Sequence, residues 1–275
     1  LIAFAWVILF DSFILASGFI YFYLKNLRHS EQPERQSVPN AESSFTWKFN
    51  KSTALSLLKD SWPLILSGIV ISIYMKIDQV MIKEMMNAEA VGQYAAAVRL
   101  SEVWYFIPMA IVSSLFPSII NAKKVSEKLY LDRLQRLYSL MVWLAIAIAL
   151  PMTFLSDWVV NLLYGNAYQE AGSVLMIHIW TGIFVFLGVA FSRYLIAENL
   201  MMKSFYRTAL GAILNIIFNF ILIPKYGIYG AAIATLLGQM AANLIYDIFD
   251  KPLWSQLKMK LKAIFPIYLI QGVQK

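Results

Sequence analysis

Apolar residues run along this chain in long blocks, separated by short polar breaks that alternate in charge. A helix needs roughly 20 mainly apolar residues to cross the hydrocarbon core of a bilayer. Seven blocks meet or approach that length: 1–24, 62–82, 93–120, 137–156, 172–196, 208–223 and 228–248. The last two are separated only by "PKYG". Pro224 and Gly227 break the helical pattern there, which predicts a tight helical hairpin rather than one long span.

The breaks set an orientation. Nineteen of the 23 basic residues lie in 25–61, 121–136, 193–207 and 251–275, all on one side of the predicted spans. The other side holds Lys83 and Lys225, and Lys76 and Arg99 lie within spans. The positive-inside rule makes the basic side cytoplasmic.

The stretch 31–53, "EQPERQSVPNAESSFTWKFNKST", is the one extended polar segment and reads as a flexible linker. It predicts a last helix of a preceding bundle at 1–24, an inter-bundle loop at 25–61 and a six-helix bundle at 62–250. Leu1 already stands inside an apolar run with no basic n-region, so the start reads as part of a longer protein rather than a signal peptide. The tail 251–275 carries Leu253, Trp254, Leu257, Leu261, Ile264 and Phe265 at helical spacing among lysines. It reads either as an amphipathic helix at the membrane surface or as the start of a further span.

Composition agrees. The 275 residues are 60% hydrophobic and 14% charged, against about 25% charged in an ordinary soluble domain; mean hydropathy is +0.63. The fold class is therefore all-α, a polytopic membrane protein. The net charge of +7 is explained by the basic loops without invoking nucleic acid. There is no cysteine, so disulfides and thiolate metal sites are excluded, and two histidines argue against a histidine-based metal centre. No Walker A loop, acidic metal cluster or Ser/His/Asp set is apparent, so no cofactor is expected and the chain does not read as an enzyme. Transport would draw on an ion gradient, a membrane potential or the substrate gradient.

Ionisable residues inside spans are the functional candidates. Lys76 and Asp78, in "SIYMKIDQVMI", stand about 200° apart on a helix and cannot pair with each other. Arg99 and Glu102 in the next span fall at similar depths across an outside turn near Ala88. That predicts Asp78–Arg99 and Lys76–Glu102 contacts, or all four residues facing one water-filled cavity. Such pairs either grip an anionic substrate or only fix helix register. Arg193 is either a cytoplasmic anchor or a phosphate contact. Asp11 and His178 are candidates for a proton or ion relay. Pro108, Pro117 and Pro151 predict kinked spans. Small-residue stripes at Gly211, Asn215, Asn219 and at Gly230, Ala234, Gly238, Ala242 predict close helix packing.

Three stretches carry a family resemblance: "KIDQVMIKEMMNAEAVGQYAAAVRLSEVWYFIP", "LLYGNAYQEAGSVLMIHIW" and "NIIFNFILIPKYGIYGAAIAT". Over residues 55–250 the chain resembles the bacterial polysaccharide exporters, the Wzx-type oligosaccharide flippases. The multidrug and toxin extrusion transporters and lipid II flippases share the general pattern. The resemblance implies two six-helix bundles around a V-shaped cavity in a bacterial inner membrane. It implies movement of undecaprenyl-pyrophosphate-linked repeat units, as for O-antigen or capsule, to the periplasmic leaflet at the expense of a cation gradient. A lipid-linked oligosaccharide, the bilayer, and a polysaccharide polymerase with its chain-length proteins are the implied partners. Tyr74, Tyr94, Trp104 and Tyr105 would then stack on sugars, and Lys76 and Arg99 would neutralise pyrophosphate. The competing readings are a cation-coupled multidrug exporter, a membrane-embedded polymerase, disfavoured by the short outside loops, and a non-catalytic partner of such enzymes.

Overall fold

The structure, a computed structural model, describes residues 51–265. The predicted helix at 1–24 with its relay candidate Asp11, most of the predicted inter-bundle loop, and residues 266–275 lie outside the described residues. Every regular element among the described residues is helical.

Helix α1 spans Lys51–Met85 and starts inside the predicted loop, passing through Pro63 without a break. Asn87 caps α2 (Ala88–Glu102), its Oδ1 accepting the Ala90 N–H at 2.8 Å. A single 3-10 turn, Val103–Tyr105, then leads into α3 (Phe106–Val125). Pro108 causes that tightening: it has no N–H for the carbonyl four residues back. The predicted loop at 121–136 shrinks to Ser126, whose hydroxyl accepts the Leu129 N–H at 3.2 Å and caps α4 (Glu127–Tyr164). Helix α4 is therefore far longer than the predicted 137–156. It ends at Gly165, where φ is +77°, a value glycine adopts without strain.

The span predicted at 172–196 is two helices, α5 (Gln169–His178) and α6 (Thr181–Ala197), with a 49° bend between them. The remaining helical stretch, Met201–Phe249, has 49 residues. As one rod it would be about 74 Å long, more than twice the hydrocarbon thickness. It folds back at Gly227, whose φ of +58° only glycine takes readily. We label Met201–Met240 α7, with a first arm before Gly227 and a second after it. A π turn, Ala241–Ile245, joins the second arm to a short α8 (Tyr246–Phe249), and α9 (Trp254–Ala263) follows.

The hairpin predicted from "PKYG" is thus present. Its arms pack backbone to backbone through the predicted small-residue stripes. A Cβ on Gly211 would meet the Ala242 Cβ at 2.7 Å, and one on Gly238 would meet the Asn215 Cβ at 2.9 Å. Helix α1 packs along this hairpin, α5 lies between α2 and α4, and α4 is flanked by α3 and α6. Two apolar cores fill the bundle. One, near the Gly227 end, centres on Ile82, Tyr94, Ala97, Leu175 and Ala231. The other, near the basic end, centres on Tyr138, Met141, Phe186 and Phe191. Ile69, Ile73, Phe154, Trp158 and Phe220 point outward, as helices surrounded by lipid allow. The stretches Trp62–Met85, Ala88–Val125, Glu127–Tyr164 and Met201–Phe249 are long and apolar enough to cross a membrane, and so is the bent α5–α6 pair if it forms one span. The protein is an all-α, polytopic membrane protein.

Helix α9 is the described part of the predicted tail. Leu253, Gln256, Lys260 and Ala263 form its buried face, against α4 and α8. The predicted apolar stripe is largely turned outward: Trp254, Leu261, Ile264 and Phe265 are exposed.

Candidate functional site

Asp78 is 4% exposed, and its carboxylate is held by three uncharged donors. The Tyr94 hydroxyl donates to Oδ2 at 2.9 Å and the Thr235 hydroxyl to the same oxygen at 2.5 Å. Asn219 Nδ2 donates to Oδ1 at 2.5 Å and also to Asn215 Oδ1 at 3.2 Å. Four helical segments converge here for a simple reason of register. Asp78 stands seven residues before the end of α1, and Tyr94 seven after Asn87. Asn219 and Thr235 stand eight residues on either side of Gly227. At about 1.5 Å per residue all four reach one layer, about 10–12 Å from the Gly227 end.

The predicted Asp78–Arg99 and Lys76–Glu102 ion pairs do not form: neither is among the salt bridges of the described residues. The turn falls at 86–87 rather than Ala88, so Tyr94 is the α2 residue at the depth of Asp78. Arg99, five positions further on, points about 140° away and is exposed. Lys76 is exposed too, close enough for its charge to act on Glu102 without a contact.

Three of the predicted residues do come together. Asp78, Glu102 and His178 line one small cavity of about 20 Å³ with Tyr94, Tyr105, Thr235 and Gln239. That is room for one water or a bare cation. The buried His178 ring packs edge-on against Tyr94, ring centres 6.2 Å apart, and its Nδ1 has no partner among the described residues. Asn219 Oδ1 is likewise unpartnered. Arg193 is exposed near the basic end, away from this layer. Among the described residues no three His, Asp or Glu side chains group as a metal site.

A second polar centre was hidden in what read as loop and tail. Arg207, 6% exposed, donates to Asn243 Oδ1 at 2.5 Å, to Ser192 Oγ at 2.6 Å and, at the limit of contact, to the Gly188 carbonyl at 3.5 Å. Lys260, fully buried, pairs with Asp247 Oδ2 at 2.7 Å and donates to the Asn243 carbonyl at 2.9 Å. Its Nζ stands 3.2 Å from the Phe191 ring centre, and Arg207 shares that ring at 5.3 Å. The π turn brings Asn243 into position, since a widened turn frees carbonyls from the helical ladder. Burial pushes the Lys260 ammonium down to about 7, against the pull of Asp247. The sequence held one signal of this centre: Gln239, Asn243 and Asp247 recur every four residues on one face of an apolar arm.

Comparison with known proteins agrees with this architecture. The MatE family model matches residues 63–221, and the family model described as polysaccharide biosynthesis protein matches residues 1–123. The chain is 27% identical over 196 residues to a probable low-salt glycan biosynthesis flippase, Agl15, of Haloferax volcanii, covering 70% of this chain and 41% of that protein. It is 22% identical over 190 residues to the capsular polysaccharide biosynthesis protein CapF of Staphylococcus aureus, covering 69% and 48%. It therefore spans less than half the length of these relatives. Among solved structures, the lipid II flippase MurJ in an inward closed conformation superposes with a TM-score of 0.58 at 17% identity, covering 85% of this chain and 52% of that one. A transporter from Pyrococcus furiosus, described as having a binding pocket of reverse polarity, gives 0.58 at 18% identity, covering 74% and 48%.

Proposed function

The chain belongs to the MatE family, within the multidrug, oligosaccharidyl-lipid and polysaccharide transporter superfamily, and from that premise we propose that it forms one bundle of a flippase for lipid-linked oligosaccharides. The substrate in this reading is an undecaprenyl-pyrophosphate-linked repeat unit of a surface polysaccharide. The unit moves from the cytoplasmic to the periplasmic leaflet of a bacterial inner membrane, where a polymerase and chain-length proteins take it up. The lipid tail stays in the bilayer, and only the pyrophosphate and sugars need a polar path. The exposed cations Lys76, Arg99 and Arg193 suit the pyrophosphate, and the guanidinium fork suits it best. Of the four aromatics expected to stack on sugars, Tyr74 and Tyr94 are buried and Trp104 and Tyr105 are half-buried against the apolar cores.

The observation that carries the coupling is Asp78. Three donors aimed at one carboxylate suit the ionised form, which only accepts hydrogen bonds. A buried charge without a counter-charge is costly, so the site takes up a proton or a small cation. A proton on Oδ2 makes that oxygen a donor and turns a neighbouring hydroxyl away. Thr235 has a place to turn: the Ala231 carbonyl, 3.0 Å from its Oγ1. The link between α1 and the second arm of α7 then loosens, while Asn219 still holds Oδ1. A cation entering between Asp78 and Asn219 Oδ1 would instead draw α1 and the first arm together. Either event changes how α1 is tied to the hairpin, which is what alternating access requires of a coupling site.

The carboxyls of Asp78 and Glu102 in one cavity also favour a second reading, a cation-coupled exporter of cationic drugs. The two readings part in a strain lacking its own flippase. Expression of the full-length protein restores surface polysaccharide and lowers the inner-leaflet pool of lipid-linked units if the first is right. Restored drug resistance with an unchanged pool supports the second and overturns the first.

A further inference from the structure

Between α1, α3, α6 and the α7 hairpin lies a half-open cavity of about 260 Å³ that neither the coupling site nor the exposed cations use. Its walls are mainly apolar: Ile71, Met75, Met109, Val185 and Val189. Its one charged residue is Arg207. Inside the protein the guanidinium meets only neutral partners, Asn243, Ser192 and the Gly188 carbonyl. Its Nε has no partner among the described residues. The acid nearest in the fold, Asp247, is engaged by Lys260. With Lys260 protonated, the cluster of Arg207, Lys260 and Asp247 carries one positive charge in excess, in surroundings where an unbalanced charge is expensive. An anion entering from the cavity removes that imbalance, and the planar fork of an arginine is the group best shaped for phosphate.

We infer that this cavity is an anion subsite in which Arg207 receives a phosphate or pyrophosphate group and the apolar walls receive what is attached to it. The volume is slightly below that of ordinary ligand pockets, so it holds a pyrophosphate with a short apolar segment, not a whole lipid-linked oligosaccharide. A phosphate lipid and a free phosphate share this chemistry. The apolar walls add affinity only for the lipid. The inference deepens the flippase reading by giving the substrate's phosphate end a second resting place. The binding it asserts can be measured without transport.

The test uses the full-length protein in phosphatidylcholine nanodiscs, titrated calorimetrically with inorganic pyrophosphate and with farnesyl pyrophosphate. Arg207→Gln weakens binding by about ten- to a hundredfold, the loss expected for a charged hydrogen bond. Val189→Trp keeps Arg207 but fills the cavity and has the same effect, so the inference stays testable if Arg207→Gln does not fold. Lys124→Gln, on an exposed basic residue outside the cavity, binds as wild type. Tighter binding of farnesyl pyrophosphate identifies a lipid phosphate as the ligand; equal binding of the two identifies a free phosphate. Wild-type affinity in folded Val189→Trp, or no binding by the wild type, overturns the inference. Wild-type affinity in a variant that still flips substrate overturns the subsite and leaves the flippase reading standing. Binding without flipping does the reverse.

Discussion

Asn219 and Asp78 lie 141 positions apart in the chain and meet at 2.5 Å, the amide of the first arm of α7 donating to the carboxylate of α1. The contact joins the α7 hairpin to α1. It also makes a carboxylate the pivot of that joint, so a change in its charge is felt by both elements.

The neutral form of the site is accessible without repacking. In Asp78→Asn the new amide faces Asn219, which turns its own amide to present Oδ1, an oxygen now without a partner. The variant has one buried charge fewer, at the cost of the neutral Asn219–Asn215 hydrogen bond. Its melting temperature in detergent is expected at or above that of the wild type. A fall equivalent to 3 kcal/mol or more, of the order seen when a buried charged network is broken, contradicts the neutral-donor account of Asp78.

Close packing of the hairpin sets up this layer. Gly238→Val drives a side chain into the Asn215 Cβ at 2.9 Å and the Gly211 carbonyl at 3.1 Å, at a cost of about 1–3 kcal/mol. Gly68→Ala, at a helical position with open space around it, is expected to stabilise by about 0.5–1 kcal/mol. Thermal melts of the two variants, run side by side, check the contrast.

The Lys260–Asp247 pair predicts a non-additive result. Lys260→Met leaves Asp247 buried and unpaired and costs about 3–5 kcal/mol. Lys260→Met with Asp247→Leu removes the orphaned charge and recovers most of that loss. Equal losses in the single and double variants would show that the pair only packs.

Lys260 also gives a pH dependence with a definite sign. Its folded value of about 7 lies below the ordinary 10.5, so between these values the unfolded chain binds more protons. Stability contributed by this group therefore rises with pH from about 7 to about 10.5, and its burial penalty is full below about 7. Wild-type melting temperature should climb more steeply over pH 7–10 than that of the Lys260→Met, Asp247→Leu double variant. Parallel curves contradict the assignment.

Much of the fold was legible because bilayer-length apolar blocks and helix breakers are local signals. Pro224 and Gly227 predicted the hairpin, and its small residues predicted the close approach of the arms. Asp78 stood out for the same reason, a charge in an apolar run. Its partners did not, because the expectation paired charge with charge across the nearest turn. The structure instead answers one carboxylate with a tyrosine, a threonine and an asparagine drawn from three other segments. Asn215 and Asn219 read as packing residues because small polar side chains serve both purposes at the same spacing. Arg207 and Lys260 were absorbed into the count of basic loop residues. Only the tertiary fold, which turns α9 back under the hairpin, shows that they are buried.

Asp78 is the proposed coupling carboxyl. Its most direct test is flipping of a fluorescent lipid-linked oligosaccharide by the full-length protein in sealed proteoliposomes, with and without an imposed proton or sodium gradient. Wild type is expected to accelerate under one of the gradients, and Asp78→Asn to bind the substrate with wild-type affinity while losing that acceleration. Gradient-driven flipping by Asp78→Asn at the wild-type rate would contradict it.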